Sequence, residues 1–264
     1  MVLESILPVK KVIRNPVEML IFSMIVTFSS LYLAELIFPG TSSGKIVTLF
    51  ITVGMTPMIY GLFKEEEKVE RDCAEHKNHK SFFDRHDEII WSFSFLFLGV
   101  FLAIFTVAVL APEAYVTAMF DDQLSEIERV TSISGNFNVS SILNIIIVNN
   151  LRVMVLSFVL SFLLGSGAVV ILAWNASILG LYLASFVRDG LMEEFVFRTV
   201  GLIPHAPVEI LAYFLAGIAG GIISVGMIRE KLNSCEFRLI FKDAIILMCL
   251  AVAAVLIGGV IEVL

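Results

Sequence analysis

The side chains with the most chemical meaning in this chain are polar ones set inside long apolar runs. One group is Asn149, Asn150 and Arg152, within IIIVNNLRVMVLSF. A second is His205 and Glu209, within PHAPVEILAYFLAG, beside Pro204 and Pro207. Asn175 stands between two apolar stretches in LAWNASILG. A charged side chain at the centre of a bilayer costs about 2.5–3.5 kcal/mol on insertion scales, so it persists where it is paired, hydrated or used. The expectation is one polar intramembrane cluster. In it Arg152 pairs with Glu209, His205 sits one helical turn from Glu209, and the asparagines complete the hydrogen bonds. Such a cluster serves either as an interhelical clamp or as a site on a transport path.

Metal chemistry finds less support. His205 and Glu209 have the i, i+4 spacing that puts two ligands on one helical face. A catalytic zinc takes three protein ligands, however, and no HExxH, nucleophile elbow or Ser/His/Asp set accompanies the pair. Cys73, His76, His79 and His86 lie among Asp72, Glu75 and Asp87 in an order that matches no zinc-finger spacing, which reads as a solvated, charge-dense loop. No catalytic residue, metal site or cofactor is therefore expected, and a membrane-embedded metal hydrolase ranks last. The odd number of cysteines, Cys73, Cys235 and Cys249, without a CxxC pair, reads as free thiols.

A further group is small: Gly165 and Gly167, then Gly217, Gly220 and Gly221 after Ala216. Small-xxx-small spacing lets membrane helices approach closely, and packing is the expected role. The alternative is a broken or re-entrant helix near 165–187 lining a substrate path.

These residues need helices to hold them. The chain has 264 residues, 58% hydrophobic and 16% charged, with a mean hydropathy of +0.92. Soluble domains are roughly half apolar and lack repeated runs near 20 residues, so a water-soluble fold is excluded. In hydrocarbon, backbone groups must pair within a helix or a closed barrel, and these runs are too long and uniform for barrel strands. The fold class is an all-α transmembrane bundle of about seven helices, read as one domain.

Apolar runs cover 17–38, 46–63, 89–111, 142–187, 203–228 and 244–264. As a single helix, 142–187 would be roughly 69 Å long, about twice a bilayer core, so it must fold back. The expected turn lies near Trp174 and Asn175. The first run is span-length with no A-x-A-like site after it, so no cleaved signal is expected.

Segments 1–16, 64–88 and 229–242 carry three, six and four of the 18 Lys and Arg residues. The positive-inside rule puts them in the cytoplasm, with the N-terminus inside and the C-terminus outside a plasma membrane. The 64–88 segment reads as a polar hairpin extending two helices. The 112–140 segment, with five acids and one base, faces outward, and its apolar residues suggest a helix capping the bundle. A net charge of −7 with no basic patch excludes nucleic acid as a partner.

The paired asparagines with Arg152, the Gly165 to Gly167 turn, the LAWNASILG run and PHAPVE follow one another in an order that resembles the stage II sporulation protein M family. The likeness covers 144–231. The family's last motif is similar to Pro-His-Gly-x-x-Glu; His205 and Glu209 match it, and Ala206 stands where glycine is usual. The resemblance implies a polytopic membrane protein with no enzymatic activity of its own, one member being similar to an anchor for peptidoglycan-remodelling enzymes. The leading expectation is accordingly a scaffold that recruits partners, forms homo-oligomers in the lipid bilayer and meets other membrane or envelope proteins. The rival is a transporter or channel using Arg152, His205 and Glu209.

Overall fold

Hydrocarbon offers the backbone no partner but itself, and the chain responds with helices. The computed structural model describes residues 8–41, 43–74, 81–133 and 139–263, and no strand occurs among them. In order the helices are α1 (Val9–Arg14), α2 (Val17–Ile37), α3 (Gly44–Ala74), α4 (Phe82–Leu110), α5 (Glu113–Ile133), α6 (Val139–Leu164), α7 (Ala168–Arg188), α8 (Met192–Leu202), α9 (Ala206–Arg229) and α10 (Cys235–Val263). Among the described residues seven of these, α2, α3, α4, α6, α7, α9 and α10, are long and apolar enough to cross a membrane.

Several hydroxyls inside the spans are satisfied locally. Thr27 donates to the Ser23 carbonyl at 2.7 Å, Ser30 to Val26 at 2.7 Å and Thr52 to Thr48 at 2.8 Å. Each bonds one turn back along its own helix, so these three need no partner from elsewhere.

The bundle is organised around α9, whose apolar stretch is 72% buried against 22% for that of α6. It packs on α10 and α6 most extensively and also touches α3, α4 and α7. Its small residues make this possible. A Cβ on Gly220 would run into the Phe158 carbonyl of α6, one on Gly221 into the Phe63 ring of α3, and one on Gly217 into Ala168 of α7. Close crossing in lipid gains dispersion contacts that bulkier residues would hold apart.

The 142–187 run folds back at 165–167, not near Trp174 and Asn175. Gly165 has φ +72°, a conformation that L side chains adopt rarely, and a Cβ on Gly167 would meet the Leu160 carbonyl. Asn175 lies inside α7, which runs unbroken from Ala168 to Arg188. Its Nδ2 donates to the Ile171 carbonyl at 2.8 Å. A lone amide with an acceptor one turn back does not break a helix; the reversal goes where glycines free the backbone.

The two ends of the bundle differ. At one end, ion pairs join the C-terminal part of α3 to the end of α9, Arg229 to Glu67 at 3.3 Å and Arg71 to Glu230 at 3.7 Å, and another joins the first turn of α4 to α10, Arg85 to Asp243 at 2.6 Å. At the other end α5, kinked at Phe120, caps the helices. The Met119 carbonyl accepts from the Ser43 amide at 3.1 Å, and Asp122 pairs with Lys45 at 2.5 Å. Arg188 closes the same end by donating to the carbonyls of Ala108 and Ala111 at 2.8 and 3.2 Å, the last acceptors of α4. These are the basic and acidic ends below.

Candidate functional site

At the acidic end α4 to α10 line a half-open cavity of about 450 Å³. Its walls include Asn149 and Asn150 of α6, Asn175 of α7, His205 and Glu209 at the start of α9, Tyr213, and Glu262 of α10. Ile127, Arg129 and Val130 of α5 border it, and Phe97, Ile146, Ile178 and Ile210 give it an apolar lining. Five side chains singled out in the sequence therefore share one space, although they come from three separate stretches of the chain.

Helical periodicity explains who faces it. Asn150, Met154, Ser157 and Ser161 fall on one stripe of α6 and are buried. Tyr213 Oη lies 2.8 Å from Asn150 Oδ1, to which it donates, and Ser157 donates to the Tyr213 carbonyl at 2.9 Å. The α6–α9 seam is thus hydrogen-bonded directly behind the cavity wall. Asn149 Nδ2 reaches Asn150 Oδ1 at 3.5 Å.

Glu209 lies against Glu262 and Asn150, and Glu209 Oε1 is buried with no hydrogen-bond partner among the described residues. Its stem rests on Gly258, where an added Cβ would stand 2.6 Å from Glu209 Cγ. His205 is the residue preceding α9, and its carbonyl accepts from the Glu209 amide at 3.1 Å. Over the mouth, Arg129 donates to Glu126 at 2.5 and 2.9 Å, and this guanidinium holds the Glu126 carboxyl below its ordinary range.

Arg152 does not join the cluster. It is exposed on α6, and no ion pair connects it to Glu209 among the described residues. The reason is angular: at 100° per residue, Arg152 is about 200° around the helix from Asn150, so turning the amide inward turns the guanidinium outward.

A second polar assembly, at the basic end, was not expected. Glu66, Glu67 and Glu70 of α3, His86 of α4 and Asp243 of α10 are all buried. The expectation of a solvated loop fails for His86, which hydrogen-bonds Glu66 through Nδ1 and is fully buried. Arg85 clamps Asp243 Oδ2 with Nε at 2.9 Å and Nη2 at 2.6 Å. His76 and His79 lie outside the described residues. A signal for these acids was present: Met55, Ile59, Leu62 and Phe63 mark the buried stripe of α3, and Glu66, Glu67 and Glu70 continue its spacing.

Fold and cavity together define a polytopic helical membrane protein with a site lined by polar side chains among its spans. Residues 92–264 match the family described as Stage II sporulation protein M, about two thirds of the chain, and the protein belongs to that family. The match begins well before the 144–231 segment that carries the motifs, taking in most of α4 and all of α5 to α10. No curated protein and no solved structure matches.

Proposed function

We propose that this protein is a membrane carrier whose acidic-end cavity takes a small solute with a cationic head and an apolar body. The single observation that supports this most is the Glu209 carboxyl, with one oxygen buried and unpartnered beside Glu262 on the wall of a cavity of about 450 Å³. Adjacent carboxyls in a low-dielectric site are neutralised by a shared proton or by a bound cation. The asparagines and His205 supply hydrogen bonds to the head, and the isoleucines and Phe97 receive the body. In this reading the Lys- and Arg-rich basic end faces the cytoplasm of a plasma-membrane protein, the cavity opens outward, and no bond is made or broken in the solute.

Proteoliposomes loaded with a pH-sensitive dye and challenged with a series of alkylamines test the proposal. Wild type is expected to give amine-dependent proton flux, and Glu209→Gln to fall to the level of empty liposomes. Equal flux in the two, or none in wild type with any amine, sinks it.

A second reading, a scaffold that recruits partners without chemistry of its own, is favoured by exposed features within and beside the spans. Arg152 is exposed midway along α6, where an uncovered guanidinium costs about 3 kcal/mol. Helix α8 buries no residue and exposes Met192, Val196, Phe197 and Val200. A second copy or another membrane protein over these surfaces would offset that cost. Cysteine substituted at Arg152 should then give disulfide-linked dimers or crosslinks to a partner in native membranes; monomer alone would count against this reading.

A further inference from the structure

The geometry points to a divalent transition-metal site at the basic end, formed by Glu70, His86 and Asp243. Ligand atoms from the three residues lie within 4.8 Å of one another, and all three residues are buried. They come from α3, α4 and α10, so an ion there would tie together three helices that are far apart in sequence.

Proximity of acids alone would not make a site; the disposition of their second atoms does. His86 is held through Nδ1 by Glu66, which leaves Nε2 without a hydrogen bond. Asp243 is held through Oδ2 by Arg85, which leaves Oδ1 without one. Glu70 has no exposed surface, and neither of its oxygens has a hydrogen-bond partner among the described residues. His86 Nε2 stands 4.0 Å from Glu70 Oε1 and 3.3 Å from Asp243 Oδ2. Glu70 and Asp243 thus each keep an oxygen without a hydrogen bond, and the Nε2 edge of His86 faces both residues. For His86 and Asp243 the other polar atom is pinned by a neighbour, the arrangement that orients metal ligands and fixes an imidazole tautomer.

Charge supports the same conclusion. Glu66, Glu70 and Asp243 bring three carboxylates against Arg85 and one imidazole, whereas neighbouring Glu67 already faces Arg71 at 3.5 Å and Arg229 at 3.3 Å. Leaving a buried carboxylate unpaired is expensive, and a divalent cation at Glu70 would remove that cost. One imidazole nitrogen with carboxylate oxygens selects Zn²⁺, Fe²⁺ or Mn²⁺ over Mg²⁺ and Ca²⁺, which prefer oxygen alone. Small side-chain rotations would bring donors at this spread to bonds of about 2.1 Å. Glu66, Glu70 and His86 precede the region matched to the family and Asp243 lies inside it, so the site is a property of this whole chain.

The experiment is elemental analysis of the full-length protein in detergent, stripped with chelator and then dialysed against Zn²⁺, Fe²⁺, Mn²⁺ or Mg²⁺. Wild type should retain about one transition ion per chain and no Mg²⁺. Glu70→Gln and Asp243→Asn should retain none, and Glu193→Gln, on exposed α8, should match wild type. Glu66→Gln should weaken binding by about 10–100-fold, the usual effect of losing a residue that orients a ligand. Should the ligand variants fail to elute as single species, Co²⁺ added to wild type decides, because coordination gives visible absorption bands. Monodisperse wild type without a stoichiometric ion, full retention in Glu70→Gln, or a featureless Co²⁺ spectrum overturns the assignment and leaves an ion-pair network only. Amine flux through the opposite end is scored separately, so either reading can fail alone.

Discussion

Arg85 Nη2 lies 2.6 Å from Asp243 Oδ2, joining the first turn of α4 to α10 across 158 positions of sequence. Asp243 is 1% exposed and Arg85 10%, so water screens the pair little. Removing one partner of a buried pair strands the other, at about 3–5 kcal/mol, whereas removing both can be nearly neutral. Arg85→Met is therefore expected to lower the melting temperature of the metal-stripped protein sharply. Arg85→Met with Asp243→Leu should recover part of the loss, the remainder being the contact of Asp243 with His86 Nε2 at 3.3 Å. A double variant as unstable as the single one would show that the pair does not set the cost.

The α6–α9 crossing makes a separable prediction. A Cβ on Gly220 would press on the Phe158 carbonyl and stand 2.9 Å from the Phe162 amide nitrogen, both backbone atoms that cannot swing aside, whereas a Cβ on Gly201 meets nothing within 4 Å. Overpacking of a tight core costs about 1–3 kcal/mol. Gly220→Ala should accordingly unfold at lower SDS fraction than wild type in mixed micelles, with Gly201→Ala unchanged. Equal effects at the two positions would contradict this packing.

These two relationships differ in how far they can be read from residues alone. Seven spans follow from run length and hydropathy because a bilayer imposes both, and the spacing of Ala216, Gly217, Gly220 and Gly221 marks a close-packed face. The polar cavity residues are conspicuous because Asn, His and Glu are costly in apolar runs. Arg152 is conspicuous for the same reason, yet cost says only that a charge needs company, not which way it points; the angle from Asn150 decides that. Glu66, Glu67 and Glu70 are hidden by their surroundings, since charge density reads 64–88 as solvated. Only the continuation of the α3 stripe past Phe63 shows that those carboxylates turn inward. Asp243 is ordinary in local sequence, and its pairing with Arg85 is a product of tertiary packing.

The hydrogen bond from Tyr213 to Asn150 at 2.8 Å ties the cavity wall to the α6–α9 seam. Hydrogen bonds between membrane helices average about 0.6 kcal/mol, and an orphaned buried acceptor costs about 1–3 kcal/mol. Asn150 Oδ1 keeps a long contact to Asn149 Nδ2 at 3.5 Å, which places Tyr213→Phe at about 1 kcal/mol. Equilibrium unfolding in mixed micelles measures it. A loss several times larger would mean that the hydroxyl organises more of the seam than this one bond.

Gly258 offers the most discriminating variant, because it acts on Glu209 without changing its chemistry. A Cβ at 258 would lie 2.6 Å from Glu209 Cγ, and Glu262 stands one turn further along α10 on the cavity wall. Glu209 is half-buried and its stem can rotate, so Gly258→Ala should displace the carboxyl while costing little stability. If the carboxyl pair takes the cationic head of a solute, amine flux should fall in Gly258→Ala nearly as far as in Glu209→Gln, because placement within a fraction of an ångström matters for a charged site. Gly258→Ala would melt close to wild type in the same preparation. If Glu209 is instead a clamp between α9 and α10, the order inverts: Gly258→Ala would lose stability first, and whatever flux the protein supports would survive.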